Sequence, residues 1–405
     1  MPGLKRPWHY QSKTTVITAQ NKISIAELRR LALQRKRRKL SAFNRLVLWL
    51  HYVVIVCLLF AVAAKYISPA LFWFPAFFGL AFPHLFLLNL VLVIYWFAQF
   101  KPTFTFGLLA LLIALPTASR FFQFSLASPP SASKELKITS YNAMLFDLYN
   151  WSENTHSRAS ILNNLSDIDP DILCLQEYYT SEQEGDFNNA DTIKRILGTP
   201  YHHSAFTTTL RDHDHWGIAT FSRYPIVNEG KILFNTKSNN ICIFSDIVIN
   251  KDTVRVYNLH LQSISFSKSD HKFLEDVMGE NKVEGELEGS RSILRRLKRA
   301  FIKRTQQVEM VASHIKTCRY KIILCGDFND TAASYSYERL SEGFKDAFSE
   351  KGSGFGRTYA GKWPQFRIDY ILYDPELECS SYEKSAVTFT DHFPITARFA
   401  NLGLD

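Results

Sequence analysis

Residues 321–330 read KIILCGDFND. Residues 322–325 are an unbroken apolar run, the pattern of a strand buried on both faces. The run closes on Gly326, which tolerates backbone that other residues avoid, and on Asp327 and Asn329, which a core strand has no use for. The same design recurs on either side. KITSYN (137–142) ends in Asn142, DILCLQE (171–177) ends in Glu177, and VYNLHL (256–261) holds His260. RIDYIL (367–372) carries Asp369, and FTDHFPI (389–395) carries Asp391 and His392. Carboxylates, amides and imidazoles at the ends of neighbouring strands converge on one edge of a sheet. There hard oxygens hold a divalent cation and histidines meet a phosphoryl group.

Period and composition predict strands at 136–141, 171–176, 218–222, 241–249, 253–260, 320–325 and 369–372, with helices over 157–168 and 298–315. This is an α/β pattern. Taken singly, each polar strand end has a bland explanation. Asp327 caps a turn, and His260, between Leu259 and Leu261, is a satisfied core histidine.

Their order changes the reading. SYN (140–142), LQE (175–177), GIATFSRYPI (217–226), NLHL (258–261), GDFN (326–329), RIDYIL and DHFPI (391–395) follow one another as they do in the endonuclease/exonuclease/phosphatase superfamily, which the chain resembles over about residues 134–400. The resemblance implies a two-sheet α/β sandwich of the deoxyribonuclease-I-like kind with its site at the strand ends. It implies Mg²⁺ or Mn²⁺ held by Glu177, with Asn142 beside it and Asp391 as a second-site or water-mediated ligand. It further implies that Asp327 orients and deprotonates the attacking water and that Asn329 positions phosphate or water. His392, kept cationic by Asp369, would donate to the phosphoryl oxygens or the leaving group, and His260 would stabilise the transition state from the other side. One position departs from the nucleases of the family. Where some have an Asp two residues after the first Asn, this chain has Met144, and Asp147 nearby is not assumed to replace it. Ser222 and Arg223 are candidates for phosphate binding or for a structural turn. His202, His203, His213 and His215 are expected as loop histidines, with a second metal site as the sharper alternative.

The formal charge of +9 is unevenly spread. Residues 1–45 hold 12 Lys/Arg against Glu27 alone, residues 46–124 add Lys65, Lys101 and Arg120 with no acid, and the rest of the chain is therefore net −5. A non-specific polyanion binder carries the opposite balance on its working domain. The six cysteines show no paired spacing and read as buried thiols. Residues 24–40, with a capping signature at Ser24 and Glu27, read as a basic helix against anionic lipid or as a solvated arm. Three apolar stretches, 43–67, 69–100 and 103–124, predict a transmembrane region of three helices, the last weakened by Pro116 and Arg120. With the basic residues ahead of the first span, residues 1–42 are placed in the cytoplasm. The expected protein is then a multi-pass plasma (inner) membrane protein, with a linker at 125–133 and an extracytoplasmic catalytic domain at 134–405.

Residues 290–304 (SRSILRRLKRAFIKR) form a basic amphipathic pattern: an ordinary surface helix, or a patch that touches lipid headgroups or draws an acidic substrate to the site. The expected function is a membrane-anchored, metal-dependent phosphodiesterase or phosphatase acting on lipid headgroups or small phosphoesters. The alternatives are an extracytoplasmic nuclease and a non-catalytic binding module. The expected partners are the lipid bilayer and a phosphoester substrate, nucleic acid included.

Overall fold

The structure is a computed structural model. It describes residues 40–124, 135–183, 185, 187–234, 239–264, 286–361, 365–400 and 402. The basic segment 24–39 and the linker 125–133 lie outside the described residues. The chain divides into two compact units, Met1–Leu50 and His51–Asp405. In the first, the described residues are Leu40, Ser41 and the opening turns of α1 (Ala42–Ala63).

The apolar region continues as α2 (Phe74–Leu80), α3 (Phe82–Ala98) and α4 (Phe104–Ala118). The expected multi-pass, three-helix topology is not what forms. Among the described residues, α1 alone is a single helix long and apolar enough to cross a bilayer. Pro75 and Pro83 each sit in a first helical turn, where proline starts a helix rather than continuing one, so the second stretch breaks into α2 and α3, bent by 71°. Helix α4 has 15 residues, and at ~1.5 Å per residue it falls short of a ~30 Å core. The extracytoplasmic placement rested on three crossings and falls with them.

Beyond residue 134 the expected sandwich is present. One six-stranded sheet has the order β11-β12-β1-β2-β4-β3, from β1 (Leu136–Asn142), β2 (Ile172–Ser181), β3 (Tyr201–Leu210), β4 (Asp214–Ser222), β11 (Glu378–Lys384) and β12 (Ile395–Ala400). The other has the order β5-β6-β7-β8-β10-β9, from β5 (Ile226–Leu233), β6 (Ile241–Ile249), β7 (Asp252–His260), β8 (Lys321–Asp327), β9 (Lys345–Asp346) and β10 (Asp369–Tyr373). Ile138, Cys174, Val256, Ile323, Cys325, Ile371 and Ala397 alternate inward from both sheets and fuse into one core. Helices α5 (Ser157–Ile168) and α6 (Asn189–Leu197) cover the first sheet, with Ile161, Leu165 and Ile193 packing on Leu173 and Leu175. The long α7 (Glu286–Ile315) covers the second, with Val308 and Val311 against Tyr257, Leu259 and Leu324. Two short helices follow, α8 (Tyr335–Leu340) and α9 (Ala347–Lys351). All six cysteines are free, as expected.

The apolar helices are joined to the sandwich by more than chain connectivity. Arg120 pairs with Glu338 of α8 at 2.5 Å, and Arg367 Nη2 donates to Arg120 O at 3.0 Å. Lys298 of α7 lies 4.6 Å over the Trp73 ring, and Phe301 meets Phe77 edge-on at 5.4 Å. Part of the apolar stripe of residues 290–304 thus packs on the turn into α2 and on α2 itself, while Leu294 is exposed.

Candidate active site

Strand register builds the site. His260, Asp327 and Asp369 occupy one row across three neighbouring strands: His260 of β7 pairs with Asp327 of β8, and Asp327 with Asp369 of β10. Gly326 brings the row together. Its φ is +147°, and a Cβ there would lie 2.0 Å from Leu259 O, so only glycine allows β7 and β8 this approach.

The other sheet supplies Asn142 and Glu177. Asn142, at the end of β1, donates through Nδ2 to Asp327 Oδ2 at 3.1 Å and accepts from Met144 N. Glu177 is aimed by a bulge in β2. Between Leu175 and Tyr178 that strand has one more residue than β4, and Glu177 adopts φ +44°. Such backbone costs about 1 kcal/mol or more for a residue with a Cβ and recurs at functional sites. Beneath it, Gln176 Nε2 donates to Asn258 Oδ1 at 2.7 Å, a buried amide tie between the sheets that sequence reading missed.

Asp327 is the hub. Its Oδ1 accepts from Asn329 N at 2.8 Å, and its Oδ2 accepts from Asn329 Nδ2 at 3.0 Å. Oδ2 lies 3.6 Å from His260 Nε2 and 3.7 Å from His392 Nε2, close to both and too far for a direct hydrogen bond. His392 Nδ1 is 2.9 Å from Asp369 Oδ2, and its ring meets Tyr359 edge-on. Thr358 Oγ1 accepts from the Asp369 backbone and holds the start of β10, another contact that sequence reading missed. Asp391 lies in the loop before β12, where its carbonyl accepts from Ala360 N.

The two imidazoles differ in charge. Burial works against charge on His392, but Asp369 and then Asp327 outweigh it and hold its pKa well above the ordinary value. Burial depresses His260, and Asp327 only partly offsets this. Burial, with His392 and Asp369 acting in opposite directions, leaves the Asp327 carboxyl raised to about 6. The Glu177 carboxyl is also raised, by burial and then by Asp391, against the pull of His392 and Asn142. Environments that push neighbouring titratable groups apart set up acid and base roles.

A divalent cation fits this donor set. Asp327 and Asp369 bring hard oxygens to one place, Glu177 Oε1 lies 3.7 Å from His260 Nε2, and Asp391 is near enough to push the Glu177 carboxyl up, so their mutual repulsion calls for a counter-charge. Among the described residues, Asp369 Oδ1 and His260 Nε2 are buried without a hydrogen-bond partner. Ligand atoms of Asp327, Asp369 and His392 lie within 4.8 Å of one another, close enough to hold an ion.

Other candidates resolve as structural. Asp147 accepts from the Ser152 hydroxyl and amide and does not replace the missing Asp at Met144. Arg223 pairs with Asp169 and with Asp171 Oδ1, and Ser222 bonds to Tyr224 O, so both build the turn. His202 and His203 lie on β3, with His203 Nδ1 3.1 Å from Ser245 Oγ, and His215 lies on β4 stacked on Phe206. Among the described residues these histidines form no metal-holding group. Arg304 was also missed: almost fully buried, it pairs with Asp330 at 3.1 Å and donates to Gln262 O, tying α7 to the loops after β7 and β8. A cation inside the otherwise apolar face of α7 was the available signal.

No curated protein matches the chain. Residues 44–121 match a model described as a domain of unknown function. Among solved structures, an endonuclease/exonuclease/phosphatase from Beutenbergia cavernae is 14% identical, covering 66% of this chain and 72% of its own, with a TM-score of 0.47. A family protein from Leptotrichia buccalis is 16% identical, with coverages of 66% and 100% and a TM-score of 0.46. One from Bacteroides vulgatus is 15% identical, with coverages of 66% and 99% and a TM-score of 0.47. The Endonuclease/Exonuclease/phosphatase family model matches residues 140–392, from the SYN at the end of β1 to His392. That span runs through both sheets and takes in every residue brought together above, and the chain belongs to this family.

Proposed function

We propose that the chain is a divalent-metal-dependent phosphoester hydrolase attached to a membrane through its apolar helices, acting on a lipid headgroup or a small phosphoester. The observation that carries the reading is the position of Asp327 Oδ2, 3.6 Å from His260 Nε2 and 3.7 Å from His392 Nε2. At that spacing an oxygen lying to one side of the row can reach Asp327 and an imidazole nitrogen together at hydrogen-bond distance. Asp327, fixed by Asn142 and Asn329, takes a proton from the attacking water. His392, charged and held by Asp369, donates to the phosphoryl oxygens or the leaving group. His260, uncharged, contributes its Nε2 from the opposite side. Glu177, with Asn142 and Asp391, would hold Mg²⁺ or Mn²⁺, and His392, its Nδ1 engaged by Asp369, is left to face the phosphoryl oxygens. The metal supplies Lewis acidity and a template for in-line displacement.

Membrane attachment is supported by α1 and by large apolar side chains on the outside of α3 and α4, among them Val91, Ile94, Leu109 and Leu112. The −5 balance of the chain beyond residue 124 favours a small or lipid-borne substrate over bulk nucleic acid. The test is hydrolysis by the detergent-solubilised full chain. The panel holds an activated phosphodiester, phospholipids, DNA and RNA, each with Mg²⁺ or Mn²⁺ and with chelator. Metal-dependent turnover abolished by Asp327→Ala and by His392→Ala is expected; turnover that survives either substitution refutes the reading.

A further inference from the structure

The site opens into a cavity of about 660 Å³ whose lining extends beyond the catalytic cluster. Glu177 and His260 line it, and so do Arg296, Arg299 and Lys303 of α7. These three positions follow one another at i, i+3 and i+7, so they share one face of the helix. Lys298 and Phe301 stand on a different face, the one that meets Trp73 and Phe77. Among the described residues that line the cavity, Glu177 is the sole carboxylate. Among the described residues neither Arg299 nor Lys303 has an ion-pair partner, whereas Arg304, Arg339 and Arg367 in the same sheet-and-helix layer each have one. A net-negative portion of the chain has thus placed a cationic wall beside its reaction centre. That wall faces the same space as Glu177 and His260.

We propose that Arg299 and Lys303, with Arg296 beside them, form a second anion subsite, which takes a phosphate of the substrate other than the one being hydrolysed. The inference rests on the hydrolase reading above and narrows it: the substrate class is a phosphoester that carries a second anionic group. Guanidinium and ammonium groups match phosphate oxygens, and low-dielectric walls focus their field on the cavity. The geometry of α7 also ties the subsite to the apolar helices. The helix that presents the cations to the cavity rests its next face on residues 73 and 77, so a phosphate at a bilayer surface and a free phosphate on a small molecule both meet the same chemistry.

The experiment uses the full chain and a matched pair of probes, ethyl p-nitrophenyl phosphate and the same diester with a terminal phosphate on its ethyl arm. The quantity read is the ratio of kcat/KM for the second probe to that for the first. A ratio of about ten or more is expected, falling towards one in the Arg299→Ala/Lys303→Ala double variant. Arg295→Ala, on the same helix but outside the cavity lining, is expected to keep the wild-type ratio. A diacylglycerol-linked version of the second probe in phosphatidylcholine vesicles supplies the lipid arm. Whichever arm shows the larger loss in the double variant identifies the source of the second phosphate. A wild-type ratio near one, or a ratio untouched by the double substitution, overturns the subsite while Asp327→Ala still reports on the hydrolase reading. DNA cleaved faster than either probe, and slowed by the double variant, supports the subsite but overturns the small or lipid-borne substrate in favour of a nucleic-acid track. If neither probe is turned over, binding decides. Methylenediphosphonate is titrated into wild type and double variant, where a loss of about tenfold supports the subsite and equal affinity removes it.

Discussion

Residues 51–118 and the sandwich both bury large apolar side chains, but they differ in what they place outside. In the sandwich, large apolar residues point inward, and buried polar groups gather at one edge, around Asp327. In the helices Leu58, Phe82 and Trp96 are buried as well, but small residues and a polar contact lie among them. His51 Nε2 meets Asn89 Oδ1 at 3.1 Å, Asn89 Nδ2 donates to Gly107 O, and Ala61, Ala110 and Ala114 fill the space between. The outside carries Leu88, Val91, Ile94, Leu109 and Leu112. Leu109, Leu112 and, in the sandwich, Leu233 are 57%, 58% and 57% exposed, yet the first two lie in a field of exposed apolar neighbours and the third ends a strand that also carries Asn228, Glu229 and Lys231. Small and polar residues between helices, with large apolar ones outside, suit an apolar surround; the reverse suits water. The contrast teaches that burial alone does not say what a residue is for. The medium outside decides which residues need shelter.

The comparison can be broken most sharply at the sandwich edge. Asp327→Ala and His392→Ala should each cut turnover of an activated phosphodiester at least about 10²-fold with far-UV circular dichroism unchanged, whereas Asn89→Leu should leave turnover within about twofold. A comparable loss in the Asn89 variant would mean that the helical interior takes part in the chemistry. Next in size is partition. Leu109→Lys/Leu112→Lys should weaken binding to phosphatidylcholine vesicles by about tenfold or more, and Leu233→Lys should not, as read by flotation. Equal behaviour would put all three leucines in water.

The join between the regions is a smaller effect. Arg120 and Glu338 are each about a quarter exposed, so a double-mutant cycle on Arg120→Ala and Glu338→Ala should return a coupling near 1 kcal/mol in thermal unfolding. The smallest effect separates a titrating buried group from a non-titrating one. His203 is buried and its pKa is depressed, by burial first, with Glu229 opposing. The unfolded state therefore takes up the proton first. The stability His203 contributes is present above its ordinary pKa and is lost as pH falls below it. Melting temperature should drop between pH 7 and pH 5 and drop less in His203→Gln, while Asn89→Leu should shift the curve without changing its slope.

Much of the sandwich was legible because its central strands are apolar runs with a polar residue where the run stops. Residues 321–327, 253–260 and 369–372 show this directly. β3 and β5 were not anticipated. YHHSAFTTTL and IVNEGKIL are edge strands in which few residues are buried, so no strong apolar alternation marks them. Which residues gather was readable from strand ends, but the pairing of His392 with Asp369 came only from family resemblance, since nothing local links residues 23 positions apart. The helical region was misread for a physical reason. Hydropathy sums side chains and is blind to the 71° bend that two first-turn prolines impose.

The bulge in β2 has a consequence for inheritance. Leu173, Leu175 and Tyr178 all face the same core, although the last two are an odd number of residues apart. Remove Glu177 and they become ordinary alternate positions, with Tyr178 still opposite Gly217. Loss of that single codon therefore leaves a more regular strand and an intact core. A mutation that removes the proposed principal metal ligand is thus among the gentlest to the fold. Lineages that no longer need the reaction have a one-step path to a stable, silent descendant.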